Sequence, residues 1–212
     1  MYVPVHFREE RVPVLHEAMR HSGLATLVTS GKDGFEASHV PLLLDPDPAP
    51  LGTLRGHVAR GNPQARGAGS EVEALAILMG PEAYVSPSWY PTKAETGRVV
   101  PTWNYVVVHA HGRLRFFEDP ERLLELVSGL TEAHEGGRAR PWSVRDAPEE
   151  YIRAQLKGIV GFELSIARLE GKWKLSQNRS ARDRAGVVEG LTREGRESAT
   201  AVAGLMKATA GE

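Results

Sequence analysis

The chain has 212 residues, of which 41% are hydrophobic and 25% charged, a composition that predicts a globular protein with a sizeable core. Its 26 basic and 27 acidic residues give a formal net charge of -1, so no basic excess is present to neutralise nucleic-acid phosphates. Cysteine is absent, which excludes disulfides and cysteine nucleophiles. No segment resembles a signal peptide or approaches the ~18 consecutive apolar residues of a membrane span, so we expect a cytoplasmic protein.

The first segment predicts a short helix followed by a hairpin. From residue 11 to residue 22, apolar side chains recur at three- and four-residue spacing, and Gly23 follows as a helix stop. The strand-like runs LATLVTS and FEASHVPLLLD then flank Asp33-Gly34, which is a strong hairpin signal. The first two strands should therefore be antiparallel.

Strand-like segments dominate the middle of the chain. LGTLRGHVA predicts a third strand and VEALAILMG a buried fourth, and between them Asn62 and Pro63 fit a helix N-cap and first helical position. WNYVVVHAHGRLRFFED predicts one long strand that changes its buried face midway. Its two histidines, His109 and His111, share one face of a strand, but the sequence marks no third ligand, so we assign no metal to them.

Two helices, a last strand pair and a helical extension are predicted in the C-terminal half. Asp119 caps a helix whose apolar stripe is formed by Leu123, Leu124, Val127 and Leu130. Asp146 with Glu149 predicts the start of another helix. IVGFELSIARLEGKWKL alternates like a strand pair bent at Gly171, and Ser180 then caps the extension.

About six mostly antiparallel strands with peripheral helices indicate an α+β barrel or sandwich. No repeat or linker divides the chain, so we expect one domain over residues 1–212, with a helical extension from about residue 180. Three loops rich in hydrogen-bond donors follow strands of this domain. Because loops on a rigid scaffold tend to carry binding residues, we expect the three to form a single site.

The loop GHVARGNPQ combines side-chain donors with the free backbone N–H groups of a helix start, as a phosphate site does, although a plain capped helix fits the same residues. The loop from Ser86 to Trp103 offers aromatic rings that could stack on a planar ligand or pack a dimer interface. The third loop, KLSQNRSARD, concentrates polar side chains between a strand end and a helix start.

Four strings in order, MYVPVHF, GHVARGNPQ, YVSPSWYPTK with VPTWNYVVVHAHG, and KLSQNR, resemble those of the PaiB-type family, described as FMN-binding negative transcriptional regulators. More distantly, the order of elements resembles the pyridoxamine-phosphate oxidase-like split β-barrels, which bind FMN at a dimer interface. The resemblance covers nearly all of the chain. It implies a mostly antiparallel split β-barrel, FMN as the cofactor and a homodimer with the cofactor at the subunit interface.

The resemblance also implies roles for individual residues. The FMN phosphate would lie near the residues of the GHVARGNPQ string, Arg60, Asn62 and Gln64. The ribityl chain and the ring would be lined by His39 and His57, and charge on the reduced ring would be stabilised by Gln177 and Arg179. The partner subunit would cover one face of the isoalloxazine with Trp89, Lys93, Trp103 and Asn104.

Where the wider family tends to carry an arginine on the flavin-contacting strand, this chain has His39, so pyridoxamine-phosphate oxidation is not implied. Three functions stay open: an FMN-binding regulator or redox sensor, a flavin-dependent oxidoreductase acting on a small molecule, and a haem-binding split barrel. Near-zero net charge argues against direct DNA binding. The segment from Ser180 to Ala210, which could imitate a helix-turn-helix, carries charges of both signs.

Overall fold

The computed structural model describes residues 1–31, 34–65 and 71–209. The strands in those ranges are Arg8–Glu9 (β1), Ala25–Gly31 (β2), Gly34–Val40 (β3), Leu43–Asp45 (β4), Thr53–Ala59 (β5), Val72–Val85 (β6), Thr102–Phe117 (β7) and Ile159–Lys174 (β8). The α-helices are Val12–Arg20 (α1), Thr92–Thr96 (α2), Pro120–Glu135 (α3), Glu149–Leu156 (α4), Ala181–Glu194 (α5) and Glu197–Ala208 (α6). Among the described residues, no helix combines the length and apolar character needed to cross a membrane.

The strands form one sheet in the order β3-β2-β6-β7-β8-β5-β4, with β1 paired to β8. β2 runs antiparallel to both β3 and β6, and β5 runs antiparallel to both β4 and β8. The predicted α+β architecture with a mostly antiparallel sheet is confirmed, with eight described strands in place of about six. The predicted hairpin is also present, although its turn residues Lys32 and Asp33 lie outside the described ranges.

The chain divides into two compact units. The α1 unit comprises Val12–Leu78 and His109–Leu169, and the α5 unit comprises Met1–Arg11, Met79–Val108 and the chain from Glu170 onward. One boundary between them lies directly before α1 and the other three fall inside β6, β7 and β8, so neither unit is a continuous stretch of sequence. The expectation of a single domain over residues 1–212 stays a prediction.

The core of the α1 unit lies between strands and helices that bury one face each. Phe116 of β7 meets Phe162 of β8 edge to face, with ring centroids 6.2 Å apart. The predicted cap of α3 is present, because Asp119 Oδ1 accepts a hydrogen bond from the N–H of Arg122 at 2.9 Å. The stripe of α3 differs from the expected one: Leu124, predicted to be buried, is 41% exposed.

The predictions made for β7 and β8 each need a correction. β7 keeps the same face buried along its length, since its even-numbered residues from Asn104 to Phe116 are buried with the sole partial exception of Gly112. β8 is one continuous strand in place of a bent pair, because Gly171 stays in the ladder and pairs with Glu9 of β1.

Two local sequence patterns also form structures that differ from the predicted ones. The run FEASHVPLLLD forms β3 and β4 with a break at Pro41, which has no N–H to donate to a ladder. Asp146 caps a separate 3-10 turn with Ser143, and α4 begins without a side-chain cap.

The α5 unit is built around the pair of helices α5 and α6. Ser180 Oγ accepts from the N–H of Asp183 at 3.1 Å, which confirms the predicted cap of α5. Gly195, at φ 67°, ends that helix in the left-handed conformation that glycine favours. The apolar sides of the two helices are buried, mainly through Val187, Leu191, Val202 and Met206.

Candidate functional site

The segment after β5 forms a polar turn against β3. Asn62 Nδ2 donates to Ser38 Oγ at 2.8 Å, and Asn62 Oδ1 accepts from the N–H of Gln64 at 2.9 Å. The turn continues as a 3-10 helix of 3 residues, Pro63–Ala65. Asn62 is therefore a cap, as predicted, but the helix start of the predicted phosphate site is only a single 3-10 turn.

Gln64 fastens this turn to the β2–β3 hairpin. Its amide nitrogen donates to Leu27 O at 3.2 Å, to Thr29 Oγ1 at 3.0 Å and to Glu36 O at 3.2 Å. Its Oε1 is also buried and has no hydrogen-bond partner among the residues that the structure describes. The amide nitrogen is committed to the fold, and Oε1 is an unsatisfied buried acceptor beside the turn.

His39 lies exposed at the end of β3, with Nδ1 3.2 Å from Thr26 Oγ1. Side chains on one face of a sheet lie opposite one another across paired strands. By the register of β3, β2 and β6, His39 shares its face with a mainly apolar and partly exposed set of side chains, Thr26, Val28, Ala37, Leu75 and Ile77. We call this set together with His39 the outer sheet face.

A cleft of about 420 Å³ opens beside the outer sheet face and shares Val28 and Leu75 with it. This volume lies within the range of small-molecule sites. The cleft is also lined by Phe35, which is 83% exposed, and by the strand residues Arg113 and Arg168. Sequence reasoning missed both arginines, because a charged residue that alternates along a strand looks the same whether it meets solvent or a ligand.

His57 lies half-buried on β5, opposite Gly161 of β8. Its Nδ1 is buried without a hydrogen-bond partner among the described residues. Burial lowers the pKa of the imidazole, so the ring is neutral at physiological pH. A neutral imidazole can donate or accept one hydrogen bond but offers a phosphate no charge.

The guanidinium group of Arg60 is hydrogen-bonded to other residues of the same chain. Its Nη1 donates to Glu118 Oε2 at 2.8 Å, Nε to Lys157 O at 2.7 Å and Nη2 to Ile159 O at 3.3 Å. A phosphate at this position would compete with the Glu118 carboxylate for the guanidinium. The phosphate contact assigned to Arg60 therefore requires that ion pair to open.

His109 and His111 point to the same side of β7, as their spacing predicts. Their ring centroids are 6.2 Å apart, and the rings are tilted by 55°.

In the α5 unit, Trp89 packs against its own helix. A Cβ built on Gly190 of α5 would lie 2.3 Å from Trp89 Cδ2, so the indole occupies the space that a side chain would need. Lys93 is exposed, and its Nζ donates to Ser88 Oγ at 3.1 Å. One side of the Trp89 ring is thus covered by α5.

Trp103 and Asn104 cannot line the same surface, since neighbours on a strand point to opposite faces. Trp103 is 50% exposed and lies edge to face with Tyr84 at a centroid distance of 5.9 Å. Asn104 has 0% exposure, and its amide exchanges hydrogen bonds with Ser176 Oγ, at 3.0 Å from Nδ2 and 3.1 Å from Oδ1. The predicted contact of Asn104 with a cofactor stays a prediction, and in this structure the polar atoms of Asn104 are enclosed by protein.

Gln177 and Arg179 follow the end of β8. The Gln177 amide is committed to the turn, because Oε1 accepts from Leu175 N at 2.7 Å and Nε2 donates to Trp173 O at 2.6 Å. The predicted ring contact of Gln177 stays a prediction, and in this structure both polar atoms of its amide are bonded within the turn. Arg179 lies 5.3 Å from the ring centroid of Tyr90, in cation–π geometry, and stays partly exposed.

Three further buried polar residues, Tyr90, Ser176 and Asp183, lie around Arg179. Burial raises the pKa of Tyr90, although the nearby Arg179 charge opposes that shift. Burial also raises the pKa of Asp183, but hydrogen bonds from the hydroxyl and N–H of Thr92 outweigh it and keep the carboxylate ionised. Ser176 adopts φ 63°, a conformation uncommon outside glycine.

The structure thus groups His39, Asn62 and Gln64 in the α1 unit, while Trp103, Lys93 and Arg179 belong to the α5 unit. Ser38, Thr26 and Thr29 join the first group through hydrogen bonds. The sequence signal that could have identified Ser38 was its position next to His39 in the strand-like run.

A family model described as "Putative FMN-binding domain" matches residues 1–168. A protein of Bacillus subtilis named protease synthase and sporulation protein PAI 2 is 32% identical to the chain, over 98% of this chain and 97% of its own length. An uncharacterised protein of Aspergillus fumigatus is 34% identical over 98% of this chain and 97% of its own length.

Among solved structures, the chain is similar to the FAD and heme binding protein of Mycobacterium smegmatis. The TM-score is 0.58 at 14% identity, over 84% of this chain and 78% of the other. At this level of identity the likeness establishes the fold alone. It confirms the predicted split-barrel architecture.

Proposed function

Because the chain belongs to the PaiB-type family of FMN-binding domains, we propose that it binds FMN along the outer sheet face and acts as a dimeric flavin redox sensor with a regulatory output. The observation that carries this proposal is the outer sheet face itself. It places an exposed imidazole, His39, beside a mainly apolar set of side chains, with its Nδ1 3.2 Å from Thr26 Oγ1. A planar ring and a polar tail need such neighbouring apolar and polar surfaces.

The residues present fit the cofactor. Val28, Ala37 and Leu75 offer an apolar surface for one side of the ring system, and His39 with Thr26 offers polar atoms at its edge. The buried acceptor Gln64 Oε1, unsatisfied among the described residues, lies with Thr29 on the opposite side of the β2–β3 hairpin and so does not face this surface. When bound, FMN supplies one- and two-electron redox chemistry, and the protein supplies its position and electrostatics.

A second protomer would complete the site in this proposal. A ring lying on an open sheet face keeps its other side in water, and enclosure by protein would strengthen every polar contact to it. The exposed residues Trp103 and Lys93 are the best remaining candidates for this role, because Asn104 is buried and Trp89 already packs on α5. We propose that they reach the neighbour's flavin across a dimer interface.

We favour regulation through another protein over regulation through direct contact with DNA. The relative in Bacillus subtilis is named for protease synthase and sporulation, which supports a role in controlling cellular processes. The net charge of -1 and the charges of both signs on α5 and α6 do not support a DNA-binding surface. A readout through another protein is therefore our preferred form of the proposal.

A flavin-dependent oxidoreductase is the second candidate. The cleft of about 420 Å³ beside the outer sheet face is large enough for a small molecule next to a flavin. Steady turnover of a reductant with an electron acceptor by the purified protein would favour this second function. Reduction in a single turnover without steady consumption of the reductant would favour the sensor.

The first test is a titration of purified protein with FMN, with its absorbance spectrum as the readout. We expect saturable FMN binding, and we expect His39→Ala to weaken it by about 10-fold, the effect of one good polar contact. The matched control is His21→Ala, because His21 is an exposed histidine at the end of α1. A Soret band in the absorbance spectrum would indicate haem in place of FMN. A protein that shows no FMN binding would refute the proposal.

The second test addresses the phosphate. If Arg60 binds it, Arg60→Ala should weaken FMN binding by about 10-fold, while Glu118→Gln should strengthen it by freeing the guanidinium from its ion pair. Opposite signs from the two partners of one ion pair cannot arise from general destabilisation. If FMN affinity is unchanged in both variants, the phosphate lies elsewhere, and Asn62→Ala with Ser38→Ala become the next pair to measure.

A further inference from the structure

The cleft of about 420 Å³ beside the outer sheet face is lined by basic side chains and by an exposed aromatic ring. We call it the arginine cleft and define it by Phe35, His111, Arg113 and Arg168. It shares Val28 and Leu75 with the outer sheet face. A molecule in the cleft would therefore lie next to a ring system on that face.

The basic side chains of the arginine cleft are carried by strands. His111 and Arg113 are two positions apart on β7, so they point to the same face of the sheet, and Arg168 belongs to β8. Between them, Gly112 allows β8 to approach closely, since a Cβ built there would lie 2.0 Å from the carbonyl oxygen of Ser165. Strands hold side chains more precisely than loops do, so this arrangement of donors is preformed.

Arg113 is the cation of the cleft that a ligand can engage most readily. Its Nη2 lies 3.9 Å from Glu73 Oε1, and both side chains are largely exposed. An exposed ion pair contributes ~1 kcal/mol or less, so the carboxylate of a ligand can compete with Glu73 for the guanidinium. The charged residues that line the cleft are two arginines and one glutamate, so a single negative charge on a ligand would balance them.

Phe35 gives the same cleft an apolar contact. The ring follows Gly34 at the start of β3 and is mostly exposed. Covering a phenyl side chain of this kind contributes about 1.5–3 kcal/mol when the burial is complete. A ligand with an aromatic ring would cover Phe35 and Leu75 while its charge reaches Arg113.

We propose that the arginine cleft binds a small aromatic carboxylate. The carboxylate accepts hydrogen bonds from the guanidinium of Arg113, whose planar fork matches it, and the ring packs against Phe35. A monoanion fits the lining better than a phosphate ester, since the second charge of a phosphate would have no counterpart. Placing this ligand beside a flavin, as the molecule to which the flavin responds, rests on the proposed function, whereas its binding in the cleft does not.

The test is isothermal titration calorimetry of the full chain with benzoate, in samples saturated with FMN and in samples without added FMN. We expect saturable binding in both. Benzamide, which lacks the charge, and acetate, which lacks the ring, should each bind at least about 10-fold more weakly. Arg113→Gln should weaken benzoate binding by about 10-fold or more and leave that of benzamide unchanged, whereas Phe35→Ala should weaken the binding of both.

The matched control is Arg115→Gln, because Arg115 lies on the same face of β7, one step beyond the cleft, and pairs with Glu71. Equal losses of benzoate affinity in Arg113→Gln and Arg115→Gln would mean general electrostatic attraction and would overturn the proposal. So would benzamide binding as tight as that of benzoate, or the absence of saturable benzoate binding.

The two kinds of sample separate this proposal from the FMN proposal. Loss of benzoate binding on saturation with FMN would overturn the inference, since the flavin would then occupy the cleft itself. If the protein binds no FMN, the proposed function fails, and benzoate binding in the samples without FMN still decides whether the cleft recognises an aromatic carboxylate.

Discussion

Replacing Gln64 with leucine is expected to lower the free energy of unfolding by about 3 kcal/mol, because it leaves several buried acceptors without a donor. The amide nitrogen of Gln64 serves Leu27 O, Thr29 Oγ1 and Glu36 O, and Gln64 itself is only 8% exposed. Leucine is similar in size, so the loss would come from unmade hydrogen bonds and little from a cavity. Urea denaturation followed by circular dichroism measures the change.

The charge-changing variant Gln64→Glu gives a second test of the hydrogen bonds that Gln64 donates. A carboxylate facing three acceptors is strongly disfavoured, so the pKa of the new glutamate should be raised in the folded protein. A raised folded pKa contributes stability below the unfolded pKa and loses it as pH rises through the folded value. We therefore expect Gln64→Glu to be less stable relative to the parent at pH 7 than at pH 4.

The matched control is Gln155→Leu on the exposed side of α4, which should change stability by less than about 0.5 kcal/mol. If Gln64→Leu is as stable as this control, the hydrogen bonds of Gln64 do not hold the turn to the hairpin. The FMN site would then lack the rigid support that we infer for it.

Gly186→Ala should destabilise the α5 unit by about 2 kcal/mol, although alanine is the better helix former. A Cβ at Gly186 would lie 2.1 Å from the carbonyl oxygen of Trp89, which is backbone and cannot rotate away as a side chain could. The 3-10 turn that ends at Trp89 would have to separate from α5. Thermal unfolding and urea denaturation should both report the loss.

Gly204→Ala is the matched control for this variant. Gly204 also lies inside a helix, but nothing is found within 4 Å of a Cβ built there, so we expect a gain of roughly 0.5–1 kcal/mol from helix propensity. A similar gain from Gly186→Ala would show that Trp89 does not pack tightly on α5. In that case Trp89 would regain its predicted role of covering one face of the neighbour's flavin.

Local sequence signals predicted the elements whose causes are themselves local. The hairpin of β2 and β3, the caps at Asp119 and Ser180 and the Asn62 turn all depend on residues within a few positions of one another. The predicted single site among three loops, by contrast, stays a prediction. Which side chains remain available to a ligand depends on contacts that no local pattern encodes.

By itself, the sequence determined the α+β class, the antiparallel pairing and, through its resemblance, the FMN-binding family. Only the tertiary structure decided that Glu118 forms an ion pair with Arg60, that Asn104 is enclosed beside Ser176 and that Lys172 lies over the ring of Tyr105. The reason is physical: capping and turn formation act between near neighbours, whereas ion pairs and burial join residues tens of positions apart. A side chain whose polar atoms are bonded within the fold and one that is available to a ligand can therefore look identical in the sequence.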